Sequence, residues 1–341
     1  MKNDFNKKIV TILNSYFPQT KELAHYLMDI LDLSRESAYR RLRSEVPFTF
    51  EEVCTVALDL DLSVDKLIGM KNNDIAYFVL KMYNATEPDD IYLEIIQDNI
   101  DLMEKFGKNA NFKMLSVLNR LPFGFTLRYP ELAKFYYYKF CFHLKNGTMD
   151  EDFSSLQVPK KIEECVQRYM KVSDSMRGDM TMIMDENVFT YMLKEIDYFK
   201  RRGLINGEGL AKLRDALMEI VDLMEALAKK ATNTVGADIK LYLSSIDVEP
   251  SYVYTEYGDK TAIQFYSPSA EAATCYNPKF CARKKEWIDS LIRYTTLITQ
   301  CNEMEQISFF NNQRNLIREM AEVKVAGANV KEEILFYKIT E

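Results

Sequence analysis

The sequence predicts a mainly α protein with a small antiparallel β element. A four-to-five-helix unit occupies residues 1–70, and a larger, mostly helical α+β region occupies 75–341. Three observations lead there. Gly and Pro number only 11 and 9 in 341 residues, so tight turns are scarce. Apolar residues recur at steps of three and four over long stretches, the period of a helix with one buried face. The texture changes after Gly236, where 239–266 is dense in β-branched and aromatic residues, which places a small sheet there.

Composition narrows the chemistry. At 47% hydrophobic and 28% charged, the chain has enough apolar material for sizeable cores and a length suited to two domains. The net charge of −7 opposes non-specific coating of nucleic acid or of anionic membrane by the chain as a whole. No apolar run approaches the roughly 18 residues of a membrane span, and none follows the basic start, so the expectation is a cytoplasmic protein with no membrane partner. The six cysteines are scattered with no C-x-x-C pair, and only two histidines exist, His25 and His143. A metal site or a histidine relay is therefore hard to assemble, and no cofactor is expected. Phosphate-loop, dinucleotide, nucleophile-elbow and zinc-protease motifs are all missing, so no enzyme is expected.

The first 70 residues read as successive helices. Asn3 or Asp4 caps the first, which ends near Tyr16 before Pro18. Thr20 caps the second, whose apolar positions Leu23, Tyr26 or Leu27, Ile30 and Leu31 follow helical spacing. Ser34 caps the third, running from Arg35 to about Ser44, with an apolar stripe of Ala38, Leu42 and Tyr39. Thr49 with Glu52 forms a capping box for the fourth, which buries Val53, Val56, Ala57 and Leu60. A short tail over 63–69 closes the unit, and polar residues 71–74 mark a domain boundary.

Charge is unevenly placed. Residues 1–70 hold nine Lys or Arg and eleven Asp or Glu, yet 34–43 holds four arginines against one glutamate. A basic helix in an acidic protein is a local electrostatic footprint suited to phosphate. Arg35, Glu36 and Ser37 stand at the leading end of that helix, where base edges are reached in a major groove. Arg40 and Arg41 follow one turn later as guanine readers or phosphate clamps, and Arg43 suits the backbone. Glu36 either accepts from a cytosine amine or pairs with Arg40. Both Arg40 and Arg41 are expected to be exposed.

Two pieces carry a family resemblance. Leu31-Asp32-Leu33-Ser34 stands where a Leu-Gly-Val-Ser turn is usual, and Ala57-Leu58-Asp59-Leu60-Asp61-Leu62-Ser63-Val64-Asp65-Lys66-Leu67 matches an Ala-x-x-Leu-x-Val-Ser-x-Asp-x-Leu ending. Residues 20–69 thus resemble the helix-turn-helix of phage-repressor-like (Xre-type) regulators, departing at Met28, where Ala is usual, and at Asp32, where Gly sits. Residues 37–45 are also similar to a variant in a bacterial group whose helix-turn-helix precedes a long C-terminal region. The resemblance implies a sequence-specific transcription regulator binding double-stranded DNA through a recognition helix at about 35–44.

Beyond the boundary, 75–82 has strand composition and 89–106 is an amphipathic helix, while 112–121 fits either. Pro130 opens a helix whose run Phe135 to Phe142 is aromatic at nearly every position. Such a helix either is buried between several others or offers some rings to a second subunit or a ligand. Helices are expected at 162–170 and 186–202, with Met176, Met180, Met182, Met184 and Met192 between and within them. Leu210, Leu213, Leu217, Ile220, Met224 and Leu227 form a heptad seam, either a core stripe or the edge of a twofold dimer. Strands at 239–243, 252–257 and 261–266, the last two joined at Gly258-Asp259-Lys260, form the small sheet. Helices at 283–299 and 302–321 follow, and 332–340 is too short to classify.

One helix-turn-helix makes few base contacts, so two half-sites and a homodimer are expected. The C-terminal region then dimerises and senses an effector, a small molecule or a protein, in an apolar pocket. The alternative is a scaffold whose helix-turn-helix-like unit docks a protein partner.

Overall fold

In the computed structural model the described residues are 4–60, 62, 64, 76–83, 85–107, 112–145, 147, 149, 151–266 and 271–322. The tail at 63–69 (residue 64 apart), the boundary at 71–74 and the C-terminal 332–340 lie outside them, as does Asn3. The chain divides into two compact units, Met1–Ile75 and Ala76–Glu341.

The first unit holds α1 (Asp4–Tyr16), α2 (Thr20–Leu31), α3 (Arg35–Leu42) and α4 (Phe50–Asp59). Its core is a short apolar set contributed by all four: Ile9 and Leu13, Leu23 and Leu27, Ala38, then Val53, Val56 and Ala57. Ser34 caps α3 by accepting from the Ser37 amide. The Thr49–Glu52 capping box is present in full. Thr20 is instead the first residue of α2, and Gln19 holds the cap position without a side-chain hydrogen bond.

The second unit is rich in helix, but its sheet is not a small antiparallel element. It is built on a seven-stranded mixed sheet in the order β6-β5-β4-β1-β2-β3-β7. The strands are β1 (Lys113–Leu118), β2 (Asp179–Asp185), β3 (Ile239–Ser244), β4 (Tyr252–Tyr257), β5 (Lys260–Tyr266), β6 (Ala272–Cys275) and β7 (Thr295–Leu297). β1, β2 and β3 are mutually parallel, and the flanking strands pair antiparallel. The expected hairpin at Gly258 exists as β4–β5, with Gly258 at φ 62, a left-handed value that glycine adopts without cost. The expected neighbour β3 is separated from β4 by β1 and β2.

Those two central strands escape a periodicity reading for a physical reason. KMLSVL and DMTMIMD are short and buried on both faces at their C-terminal ends, so apolar–polar alternation is lost. Methionine also lacks the branched side chain that marks a strand. Gly178 lets β2 begin hard against the Phe112 backbone, since a Cβ there would lie 2.5 Å from the Phe112 carbonyl oxygen. Residues 76–83 form no strand beyond a single bridge, Val79 to Thr274.

Parallel neighbours need long crossovers, and the helices supply them. They are α5 (Pro88–Gly107), α6 (Phe123–Leu127), α7 (Pro130–Leu144), α8 (Lys160–Asp174), α9 (Thr190–Arg201), α10 (Gly207–Lys230), α11 (Pro278–Ile292) and α12 (Glu303–Glu322). Leu118, Met182, Met184 and Leu241 face the main helical layer. Val117, Ile183, Tyr254 and Ile263 face α11 through Cys281, Ile288 and Leu291. Among the described residues no helix is long and apolar enough to cross a membrane.

The aromatic helix α7 is buried on several sides at once. Phe135, Tyr138 and Phe142 meet Phe199 of α9 edge-on at 5.0 to 5.7 Å between ring centroids. Tyr137 and Phe140 pack on Tyr92 of α5, and Phe123 of α6 covers Tyr136. Lys139, almost fully buried among these rings, is neutralised by Glu195 at 2.7 Å. The heptad seam of α10 likewise faces inward: Leu213, Leu217, Ile220 and Met224 are completely buried in the main core. Leu217→Ala is therefore expected to destabilise the second unit by about 2–5 kcal/mol in chemical denaturation, with no change of mass by light scattering at native conditions.

Candidate nucleic-acid interface

The turn between α2 and α3 is made by Asp32, Leu33 and Ser34. Asp32 lies in the left-handed region at φ 48, ψ 49, and the Asp32 and Leu33 amides both donate to the Met28 carbonyl. This closes α2 as a glycine would, at the cost of a Cβ in a conformation that L-residues other than Asn and Asp rarely tolerate. The Asp that replaces the expected Gly is thus the side chain that suits the position next best.

The C-terminal end of α3 is held from below. The Asn6 carboxamide, nearly completely buried, donates to the Arg41 carbonyl at 2.9 Å and to Ser44 Oγ at 3.0 Å, and accepts from the Phe48 amide at 3.0 Å. One side chain of α1 thereby fixes the end of α3 and the loop into α4. Tyr26 adds a second tie, donating from its hydroxyl to Asp59 at 2.7 Å and stacking on Phe17.

The six residues expected at the interface divide into two groups. Arg35, Glu36, Arg40 and Arg43 are exposed and Ser37 is half-buried, all on or just after α3. Arg35 lies over the Tyr39 ring at 5.8 Å. Arg40 and Arg43 share Glu45, at 3.7 and 2.7 Å, with half or more of each arginine side chain exposed. The Arg43 hydrogen bond holds the Glu45 carboxyl below its usual range. Such exposed pairs are weak and exchange readily for a phosphate. Glu36 makes no ion pair with Arg40 among the described residues.

Arg41 departs from the expected exposure. Its side chain is 13% exposed and forks onto Glu52 of α4, with Nε to Oε2 at 2.9 Å and Nη2 to Oε1 at 2.6 Å. Its Nη1 donates to the Ser37 carbonyl. Position explains this, because Arg41 lies three residues after Ala38 and one before Leu42, at the margin of the buried stripe. Burial works to raise the Glu52 carboxyl, but the Arg41 hydrogen bond and the Thr49 amide outweigh it and leave the group below the usual carboxylate range. The signal that identifies this residue is the capping-box glutamate itself, an acid already held at the base of α4.

The N-terminus of α2 was not among the expected contacts. Gln19 offers no cap, and Thr20 and Lys21 are exposed, so the first amides of the helix have no side-chain acceptor from the cap residue.

Residues 4–77 match the BetR domain model. This is a helix-turn-helix-like DNA-binding domain. The match covers α1 to α4 and less than a quarter of the chain. It supports the helix-turn-helix DNA-binding reading and does not extend to the Xre-type affiliation. No curated protein matches the chain, and no solved structure does.

Two stability effects follow. Asp32→Gly is expected to stabilise the first unit by about 1 kcal/mol, read as a higher denaturation midpoint, because it removes the left-handed Cβ. For Glu52 the sign follows from a lowered folded pKa: its contribution is complete above the unfolded value, near 4.3, and is lost as pH falls through the lower folded value. Acid titration of wild type against Glu52→Gln should show the variant less stable at neutral pH, with the two converging in acid.

Proposed function

We propose that the protein is a sequence-specific DNA-binding transcription regulator, acting in the cytoplasm as a homodimer and not as an enzyme. The match over 4–77 supports the DNA-binding part, and the observation that carries the finer reading is the division of the α3 arginines. With Arg41 committed to Glu52, recognition falls to the exposed side chains. Arg35, Glu36 and Ser37 lead α3 into the major groove, and Arg40 reads a base or clamps a phosphate one turn later. Arg43 and the open amide end of α2 at Thr20 and Lys21 take the DNA backbone. Arg41 positions this surface without touching DNA.

The second unit supplies dimerisation and effector sensing in this reading. A lone helix-turn-helix gives too few base contacts for useful specificity, and two half-sites require two copies. The inward α10 seam leaves the dimer surface to some other face of the unit.

Fluorescence anisotropy against duplexes selected from genomic DNA, at several salt concentrations, tests the assignment. Wild type should bind with a steep salt dependence, and each of Arg40→Ala and Arg43→Ala should lower the slope of log affinity against log salt by about 1. If no duplex is selected, or if affinity is indifferent to both substitutions, the scaffold reading takes its place.

A further inference from the structure

The second unit encloses a cavity of about 240 Å³ between one face of the sheet and α5, α6, α7 and α8. Its floor is the face carrying Met114 and Ser116 of β1, Met180 and Met182 of β2, Thr255 of β4 and Gln264 of β5. The strand register puts these side chains on one side, since Met114 pairs with Met180 and Thr255, and Ser116 with Met182 and Val253, which in turn pairs with Gln264. Phe106, Phe123, Tyr136 and Tyr169 form the opposite wall. The size suits a compact ligand of about ten non-hydrogen atoms, somewhat larger than the benzene that a 150 Å³ cavity accepts.

Three buried polar atoms lining this chamber have no hydrogen-bond partner among the described residues: the Thr255 hydroxyl, Gln264 Nε2 and Arg128 Nε. Thr255 is 1% exposed and Gln264 3%, and neither the Thr255 hydroxyl nor Gln264 Nε2 makes a hydrogen bond among the described residues. Tyr266 donates to Gln264 Oε1 at 3.5 Å, and the amide nitrogen is left without an acceptor among the described residues. A buried donor in this position costs free energy until something accepts from it. A half-exposed cation, Arg120, follows β1 at the other end of the chamber. It makes no ion pair among the described residues and lies over the Tyr191 ring at 5.6 Å. Arg128 is paired with Asp174 through its terminal nitrogens alone. Among the described residues no Asp or Glu lines the cavity, so its wall is net positive.

We propose that this cavity binds a small amphipathic monocarboxylic acid whose apolar body carries one oxygen. The carboxylate meets Arg120, the body lies between the methionine floor and the aromatic wall, and the oxygen accepts from Gln264 Nε2 and the Thr255 hydroxyl. Methionine suits such a floor because its unbranched side chain adapts to a ligand's contour. The two polar demands are at separate ends: Gln264 and Thr255 lie level with Ser116 and Met114 in the sheet, whereas Arg120 stands beyond the last residue of β1. A plain hydrocarbon would satisfy neither.

Calorimetric titration of the full chain, without DNA, tests this independently of the DNA-binding reading. The probes are 7-oxooctanoate, octanoate and 1-octanol. The oxo acid should bind about tenfold more tightly than octanoate, and the alcohol more weakly than either. Arg120→Met should weaken both acids about tenfold or more and leave the alcohol unchanged. Thr255→Val and Gln264→Leu should bring the two acids to equal affinity. Thr255→Val should also raise the melting temperature of the ligand-free protein, since it removes a buried hydroxyl that has no partner; a purely structural hydroxyl would lower it. The proposal is overturned if no probe binds the folded wild type, if the alcohol equals the acids, or if Arg120→Met leaves acid affinity intact.

Discussion

An arginine turned inward decides which side chains α3 leaves exposed. Arg41 forks onto Glu52, the same carboxylate that accepts from the Thr49 amide and so closes the start of α4. The Arg41 carbonyl is at the same time an acceptor for Asn6 of α1. Three helices therefore meet at one residue of α3, and the orientation of the remaining α3 side chains follows from that junction. A two-point guanidinium–carboxylate contact suits this purpose, because its planar geometry fixes direction as well as distance. Among the described residues the arginines outside the junction are held by exposed Glu45 or by a ring face, contacts that yield to a stronger anion.

Helices with a single apolar stripe were legible in the sequence. Those of the first unit follow from caps and spacing, and α5 follows from Ile95, Ile96 and Ile100. The sheet was legible only where the strands obey local rules, as in the β4–β5 hairpin with its glycine turn. β1 and β2 are defined by non-local pairing across more than sixty intervening residues, and their burial on both faces removes the alternation that would reveal them. β7 is three residues long and exists only because β3 offers it an edge. The methionines at 176–184 and the aromatic helix stand out in the sequence as candidate walls of an apolar pocket, but which of their side chains share one chamber follows only once β2 lies beside β1.

Within the candidate site, residue type was legible and side-chain role was not. Ser34 and the Thr49–Glu52 pair announce themselves because capping is a three-residue pattern. Arg40 and Arg41 differ by about 100° of helical rotation, and that rotation separates an exposed cation from a buried one. Three arginines on one short helix and a fourth just after it resemble a uniform basic face, yet Ala38 and Leu42 bracket Arg41 on the buried side. The pairing acid lies eleven residues away, so only the packing of α4 on α3 assigns it.

Replacing the Arg41–Glu52 pair by methionines at both positions, and measuring affinity for a selected duplex beside Arg40→Ala, tests this division most directly. Apolar side chains of similar length can replace a buried ion pair without loss of fold. The paired-methionine variant is expected to keep wild-type DNA affinity to within a few-fold, while Arg40→Ala loses about tenfold or more. If the paired-methionine variant stays folded and loses binding while Arg40→Ala retains it, Arg41 is the reader and the division drawn here is wrong.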